Sequence, residues 1–180
     1  MSAAGASMPG MDPRLRKILL GAVAAVAFIA WYLYWCSPSV QAPRTFARIR
    51  TGIEEGRAGL VFDQLHPDYS IKASWPNQLA EYGDLVSPGA LRPLAQQGLQ
   101  MVLRAHGEDP LVMGYELHRI EALADGTVQV DVSIHFSTRS GRAVDIVDPP
   151  LVHKHFILSR ASAIFPALYI KSHEALTANP

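Results

Sequence analysis

Residues 18–35 read ILLGAVAAVAFIAWYLYW, 18 consecutive positions without a charge in a chain of 180. As a helix rising about 1.5 Å per residue, that run is roughly 27 Å long, close to the hydrocarbon thickness of a bilayer. A spanning helix is therefore expected, and the rest of the chain must fold outside it. The two ends of the run differ. Arg14, Arg16 and Lys17 precede it, whereas Trp31, Tyr32, Tyr34 and Trp35 crowd its last turns. Amphipathic rings prefer the headgroup level, so these four read as an interfacial belt. Pro38 and Pro43 are expected to stop the helix.

A basic stretch before an apolar one also resembles a cleaved signal peptide. Val40-Gln41-Ala42 offers small residues for cleavage, but Pro43 would then occupy the first mature position, where a signal peptidase does not accept it. Lipid attachment at Cys36 is disfavoured by Tyr34 and Trp35 just before it. The reading is an uncleaved anchor at the inner membrane, single-pass. Its three N-terminal cations lie closer to the span than Arg44, Arg48 and Arg50 do, which places the N-terminus in the cytoplasm. In a bacterium the C-terminal domain would be periplasmic. Within the span, Gly21 and Ala25 are four residues apart, a spacing that lets another helix approach closely.

Outside the span the composition is ordinary: 49% hydrophobic and 18% charged overall, with 16 basic against 16 acidic residues. A net charge of zero removes the electrostatic case for nucleic acid. A single cysteine excludes an intramolecular disulfide framework. The expected organisation is a flexible tail over residues 1–13, the anchor over 14–37 and one soluble domain over 38–180.

In that domain, Phe46, Ile49 and Ile53 recur at helical spacing, and a helix is expected over residues 43–55, ended by Gly56. A second helix over 58–65 leads through His66-Pro67-Asp68 into an expected short strand over 69–73. Ser87 and Pro88 open a third helix with Leu91, Leu94, Ala95, Leu99, Val102 and Leu103 on one stripe, expected to be buried. Residues 111–123 and 127–138 then flank Asp125-Gly126, a hairpin signal. In the second run Val128, Val130, Val132, Ile134 and Phe136 alternate with Gln129, Asp131, Ser133, His135 and Ser137, so one face is expected buried and the other wet. Two further strands are expected over 151–160 and 165–173. The fold class is α+β, with three helices packed on a mostly antiparallel sheet.

This order of elements, with Ile53-Glu54-Glu55-Gly56-Arg57-Ala58-Gly59-Leu60 and Leu65-His66-Pro67-Asp68-Tyr69, resembles the nuclear transport factor 2-like superfamily over about residues 43–175. The resemblance implies a cone-shaped fold that serves enzymes, binding modules and scaffolds alike. In its enzymes, such as ketosteroid isomerase and the SnoaL-like cyclases, a carboxylate or histidine inside the cone acts as acid or base. The inward row of the clearest strand holds no titratable group, so no catalytic residue and no cofactor are expected. His118, Glu116, Asp68, Tyr69 and Tyr82 remain candidates for a pocket mouth.

His153 and His155 are two apart on an expected strand and share a face, with His135 on a wet face nearby; together they are a candidate metal set against the reading of solvated histidines. Residues 151–156 and 163–169 carry more apolar side chains than one buried face needs, with Ile164, Phe165, Leu168, Tyr169 and Ile170 nearly continuous on the last strand. Either that strand is covered on both sides or another protein caps it, with Phe165, Leu168 and Tyr169 as the docking candidates. The expected function is a non-catalytic membrane-anchored accessory or assembly subunit of a larger integral membrane complex, respiratory, photosynthetic or secretory. Its architecture is similar to the inner-membrane assembly factor of type IV secretion systems. The alternative is a membrane-tethered protein that binds or converts a small apolar ligand in the cone.

Overall fold

A computed structural model describes residues 12–71, 88–144, 153–162 and 165–175. The chain divides into two compact units, residues 1–36 and 37–180. The described residues of the first form one helix, α1 (Pro13–Trp35), opened by Asp12, whose carboxylate accepts the Arg14 N–H at 2.8 Å. None of its residues is buried, and it is long and apolar enough to cross a membrane. Trp31 stacks on Trp35 with ring centroids 5.7 Å apart.

Among the described residues the second unit has the element order α2 (Pro38–Glu54), α3 (Ala58–Phe62), α4 (Pro88–Ala105), β1 (Leu111–Ala122), β2 (Val128–Thr138), β3 (Lys154–Arg160) and β4 (Leu168–Ala175). Pro38 sits at the first helical position of α2, where its missing N–H costs nothing. Pro43 lies inside α2 and neither stops nor starts a helix, contrary to the sequence reading. The carbonyl it leaves without an intrahelical donor belongs to Ser39, an exposed residue that water can reach. Gly56 closes the helix end at φ +67°, a left-handed conformation that favours glycine.

The sheet is a four-stranded antiparallel meander in the order β1-β2-β3-β4. Asp125-Gly126 makes the first turn as expected, with Gly126 at φ +81° and the Asp125 carboxylate accepting from the Thr127 N–H and hydroxyl. Those donors hold the Asp125 carboxyl below its usual range. The facing of β1, which simple alternation leaves ambiguous, is settled by a bulge between Leu117 and Arg119. Leu111, Met113, Tyr115 and Leu117 share a face with the Val130 row. Past the bulge that face continues as Ile120 and Ala122.

Helix α2 packs on β1 and β4, with α3 against α2 and α4 against α3. Phe46, fully buried, anchors the layer: its ring meets Phe156 edge-on at 5.1 Å and Tyr115 at 5.9 Å. The Thr45 hydroxyl donates to the Leu168 carbonyl at 2.7 Å, tying α2 to β4. The short strand expected over 69–73 is replaced by a one-residue parallel bridge of Leu65 to Ile170, while Ile71 is helical and buried. Residues 72–73 lie outside the described residues. Arg92 of α4 donates to the carbonyls of Phe62, Leu65 and His66, which caps the end of α3 from another element.

Helices α2 and α3 approach closely at Gly52. A Cβ there would stand 2.9 Å from Val61 Cγ2 and 3.1 Å from the Val61 backbone nitrogen. Gly52→Ala is therefore expected to destabilise the unit by about 1–3 kcal/mol despite the better helix propensity of alanine. Chemical denaturation of the purified variant checks this, and an unchanged midpoint would contradict the packing.

Candidate functional site

Two faces of the sheet and one helix carry the chemistry. On the inner face, directly paired residues place Lys154 beside Val132 and His173 beside Phe156. The His173 Nδ1 and the Tyr69 hydroxyl are 3.0 Å apart, and the two rings stack with centroids 6.0 Å apart. The His173 ring also leans on Phe156 at 5.4 Å. Burial pushes the His173 imidazole down to about 4, and the Lys154 charge adds to the shift. Burial likewise lowers the Lys154 ammonium. At neutral pH the imidazole is neutral and stands with the Tyr69 hydroxyl against an aromatic wall, a pair suited to hydrogen-bond a carbonyl or hydroxyl group.

The valine row of β2 is buried, but the inner face is not free of titratable groups, because β3 and β4 supply Lys154 and His173. Of the residues proposed for a pocket mouth, Tyr69 points to the inner face, where it meets His173. Glu116 pairs with Ser133 on the outer face, and His118 bonds there too, so neither reaches the inner wall. Asp68 is exposed, and its backbone N–H donates to His66 Nδ1. Tyr82 lies outside the described residues.

On the outer face, His118 Nε2 and His153 Nδ1 both hydrogen-bond Ser133 Oγ, at 2.5 Å and 2.8 Å. His155 Nδ1 bonds the Asp131 carboxylate at 2.7 Å. The His135 ring lies over Gly114, which leaves it room by having no side chain. The set His135, His153 and His155 is thus not gathered round one point: each has a different neighbour across the strands. Among the described residues no three ligating side chains are arranged to hold a metal.

The docking candidates separate. Phe165 is 66% exposed, whereas Leu168 is 3% exposed and belongs to the core, so it is unavailable to a partner. Plain alternation with Ile170 on the inner face and the cover from α2 put it there. Tyr169 is partly buried and pairs with Ser159 on the outer face. Helix α4 shows the larger apolar surface. Leu94, Met101 and Val102 are 50%, 68% and 38% exposed, beside a buried stripe of Leu91 and Leu103. Gly21 and Ala25, and the belt of Trp31, Tyr32, Tyr34 and Trp35, are all exposed on α1.

No family model matches the chain, and no curated protein matches it. Among solved structures the chain is similar to Aln2 from a Streptomyces species, at a TM-score of 0.51 and 14% identity, over 76% of this chain and 89% of that one. Two Catenulispora acidiphila structures align less well. One, in complex with S-DNPA, has a TM-score of 0.43 at 14% identity over 76% of this chain and 90% of its own. The other has 0.44 at 17% identity over 81% and 91%. The likeness to Aln2 is one of fold, and it agrees with the architecture built above: an α+β arrangement of helices packed on an antiparallel sheet, preceded in the chain by an apolar N-terminal helix.

Proposed function

We propose that this chain is a single-pass membrane protein, N-terminus in the cytoplasm, whose cone domain is a non-catalytic accessory or assembly subunit of a larger membrane protein complex. The observation that supports it most is the exposed apolar strip of α4. Leu94, Met101 and Val102, with Gly98 and Ala105 at three- and four-residue steps, widen the apolar arc of that helix well beyond the part the core uses. A strip of this kind suits a partner helix or groove, with the large side chains as anchors. Helix α1, none of whose residues is buried, offers its surface to lipid and, at Gly21 and Ala25, to a lateral helix. Anchoring raises the effective concentration of the domain at its partner, so modest contacts suffice for stable association.

The test is gentle detergent extraction of native membranes, separation under non-denaturing conditions and mass spectrometry of what travels with the chain. Stoichiometric co-migration with a large complex supports the subunit reading, and migration near the mass of one or two chains in a micelle overturns it. Leu94→Glu with Met101→Glu is expected to release the chain from that complex while its unfolding free energy moves by less than about 1 kcal/mol, since both side chains are at the surface.

A second reading has its own support. The Tyr69–His173 pair puts a neutral imidazole inside the cone, where the resemblance to ketosteroid isomerase and the SnoaL-like cyclases places an acid or base. Under it the chain is a membrane-tethered binding protein or enzyme for a small apolar ligand. A solitary chain whose melting temperature rises with an apolar ligand, and no longer does so in His173→Gln, is its expected result.

A further inference from the structure

We propose that the outer face of the sheet is a binding site for a divalent transition-metal ion, built on His118 of β1 and on His153 immediately before β3. The two imidazole nitrogens, His118 Nε2 and His153 Nδ1, converge on one atom, Ser133 Oγ of the intervening strand. A hydroxyl has one proton to give, so with both rings neutral one nitrogen accepts from Oγ while the other donates to it. The rings stand 5.8 Å apart at 55°, and both side chains are exposed. When the ring that donates to Oγ shifts its proton to its other nitrogen, small rotations turn both lone pairs toward an ion entering from solvent, and the serine keeps its own proton.

The surroundings favour a cation. Glu116 stands opposite Ser133 in the ladder on the same face, and Asp131 lies two residues along the same strand. His155, two residues from His153, is already oriented by the Asp131 carboxylate, the arrangement that fixes the tautomer of a ligating histidine. With no three-ligand cage present among the described residues, the site commits to two protein nitrogens, with water completing the coordination sphere. Imidazole nitrogen selects zinc, copper and nickel over calcium and magnesium. An ion held there joins β1 to the entry of β3 across β2, so it stabilises the folded sheet.

The experiment uses the full chain without an affinity tag, in lipid nanodiscs and stripped of metal by chelator. Zinc chloride is titrated by calorimetry at neutral pH, with thermal unfolding followed in parallel. The expected result is one zinc per chain with a raised melting temperature. His118→Ala and His153→Ala should each weaken binding by at least about tenfold and remove the thermal gain. His106→Ala, on the turn after α4, should leave both unchanged. Affinity should fall as the pH is lowered, because protons compete for the same lone pairs. Both histidines are exposed, so the variants keep the fold, and their melting without zinc verifies it. Absence of binding to the parent chain, or zinc binding that survives unchanged in the double variant, overturns the proposal.

Discussion

Replacing Phe46 by alanine is expected to remove about 3–5 kcal/mol of folding stability from the α+β unit. The ring is fully buried where α2 crosses the sheet, edge-on to Phe156 and tilted against Tyr115. Its loss removes the transfer free energy of the side chain and leaves a cavity that rigid neighbours fill only in part. Each aromatic pair lost adds about 0.5–1.5 kcal/mol that area alone does not count. A domain of this kind is stable by about 5–15 kcal/mol, so one substitution takes a large share. Denaturant unfolding should show a lowered midpoint with an unchanged slope. Phe46→Leu, which refills most of the space, should cost markedly less. A loss below about 1 kcal/mol in the alanine variant would mean that Phe46 is not seated against Tyr115 and Phe156 as described.

The register of this sheet explains what was legible in the sequence. The β2 face could be read because Val128 to Ile134 alternate without interruption, and the hairpin because Asp125-Gly126 meets the steric demand of its turn. Helix α4 was visible from its stripe, but a stripe gives the presence of an apolar arc and not how much of it the core covers. Leu94 and Val102, read as buried, are exposed for that reason. Pro43 misled because proline disfavours a helix interior on average, and the cost is small where an exposed carbonyl is the one released.

The candidate sites were hidden by bulges. In β4, Lys171 is the extra residue: Ile170 pairs with Leu158 on the inner face, Ser172 with Ile157 on the outer, and His173 with Phe156 on the inner again. Plain alternation sets His173 opposite Ile170 and so sends it to the wet face. His118 stands at the bulge of β1 and hydrogen-bonds Ser133, a meeting with His153 across β2 that no spacing announces. A period of two carries no information past an inserted residue, and both sites lie at or beyond one. Lys154 had a readable signal, since it continues the Phe156 and Leu158 row of its own strand.

Acidification from pH 6.5 to 4 is expected to cost the folded unit about 3 kcal/mol through His173 alone. Burial holds this imidazole at about 4 against 6.5 for the free side chain, so between those values the unfolded chain carries a proton that the folded one does not. Stability then falls as the pH drops through 6.5, and the loss levels off below about 4, where both states are protonated. Asp109 and Asp125 act in a separate window. Their carboxyls are held below 3.8 by hydroxyl and amide donors of Ser140 and Thr127, so what they contribute is lost only at lower pH. Unfolding free energies measured at half-unit steps from pH 7.5 to 3 should show the steeper fall in the upper window. His173→Phe keeps a ring against Phe156 and removes the titration, so its profile should be flat there. Tyr69→Phe, which removes the phenol facing Nδ1 and keeps the burial, should retain the slope. A parent profile flat down to pH 4, or an undiminished slope in His173→Phe, would show that His173 is not held neutral, partly buried, against Tyr69 and Phe156, and the cone would lose the inward imidazole on which its ligand-binding reading depends.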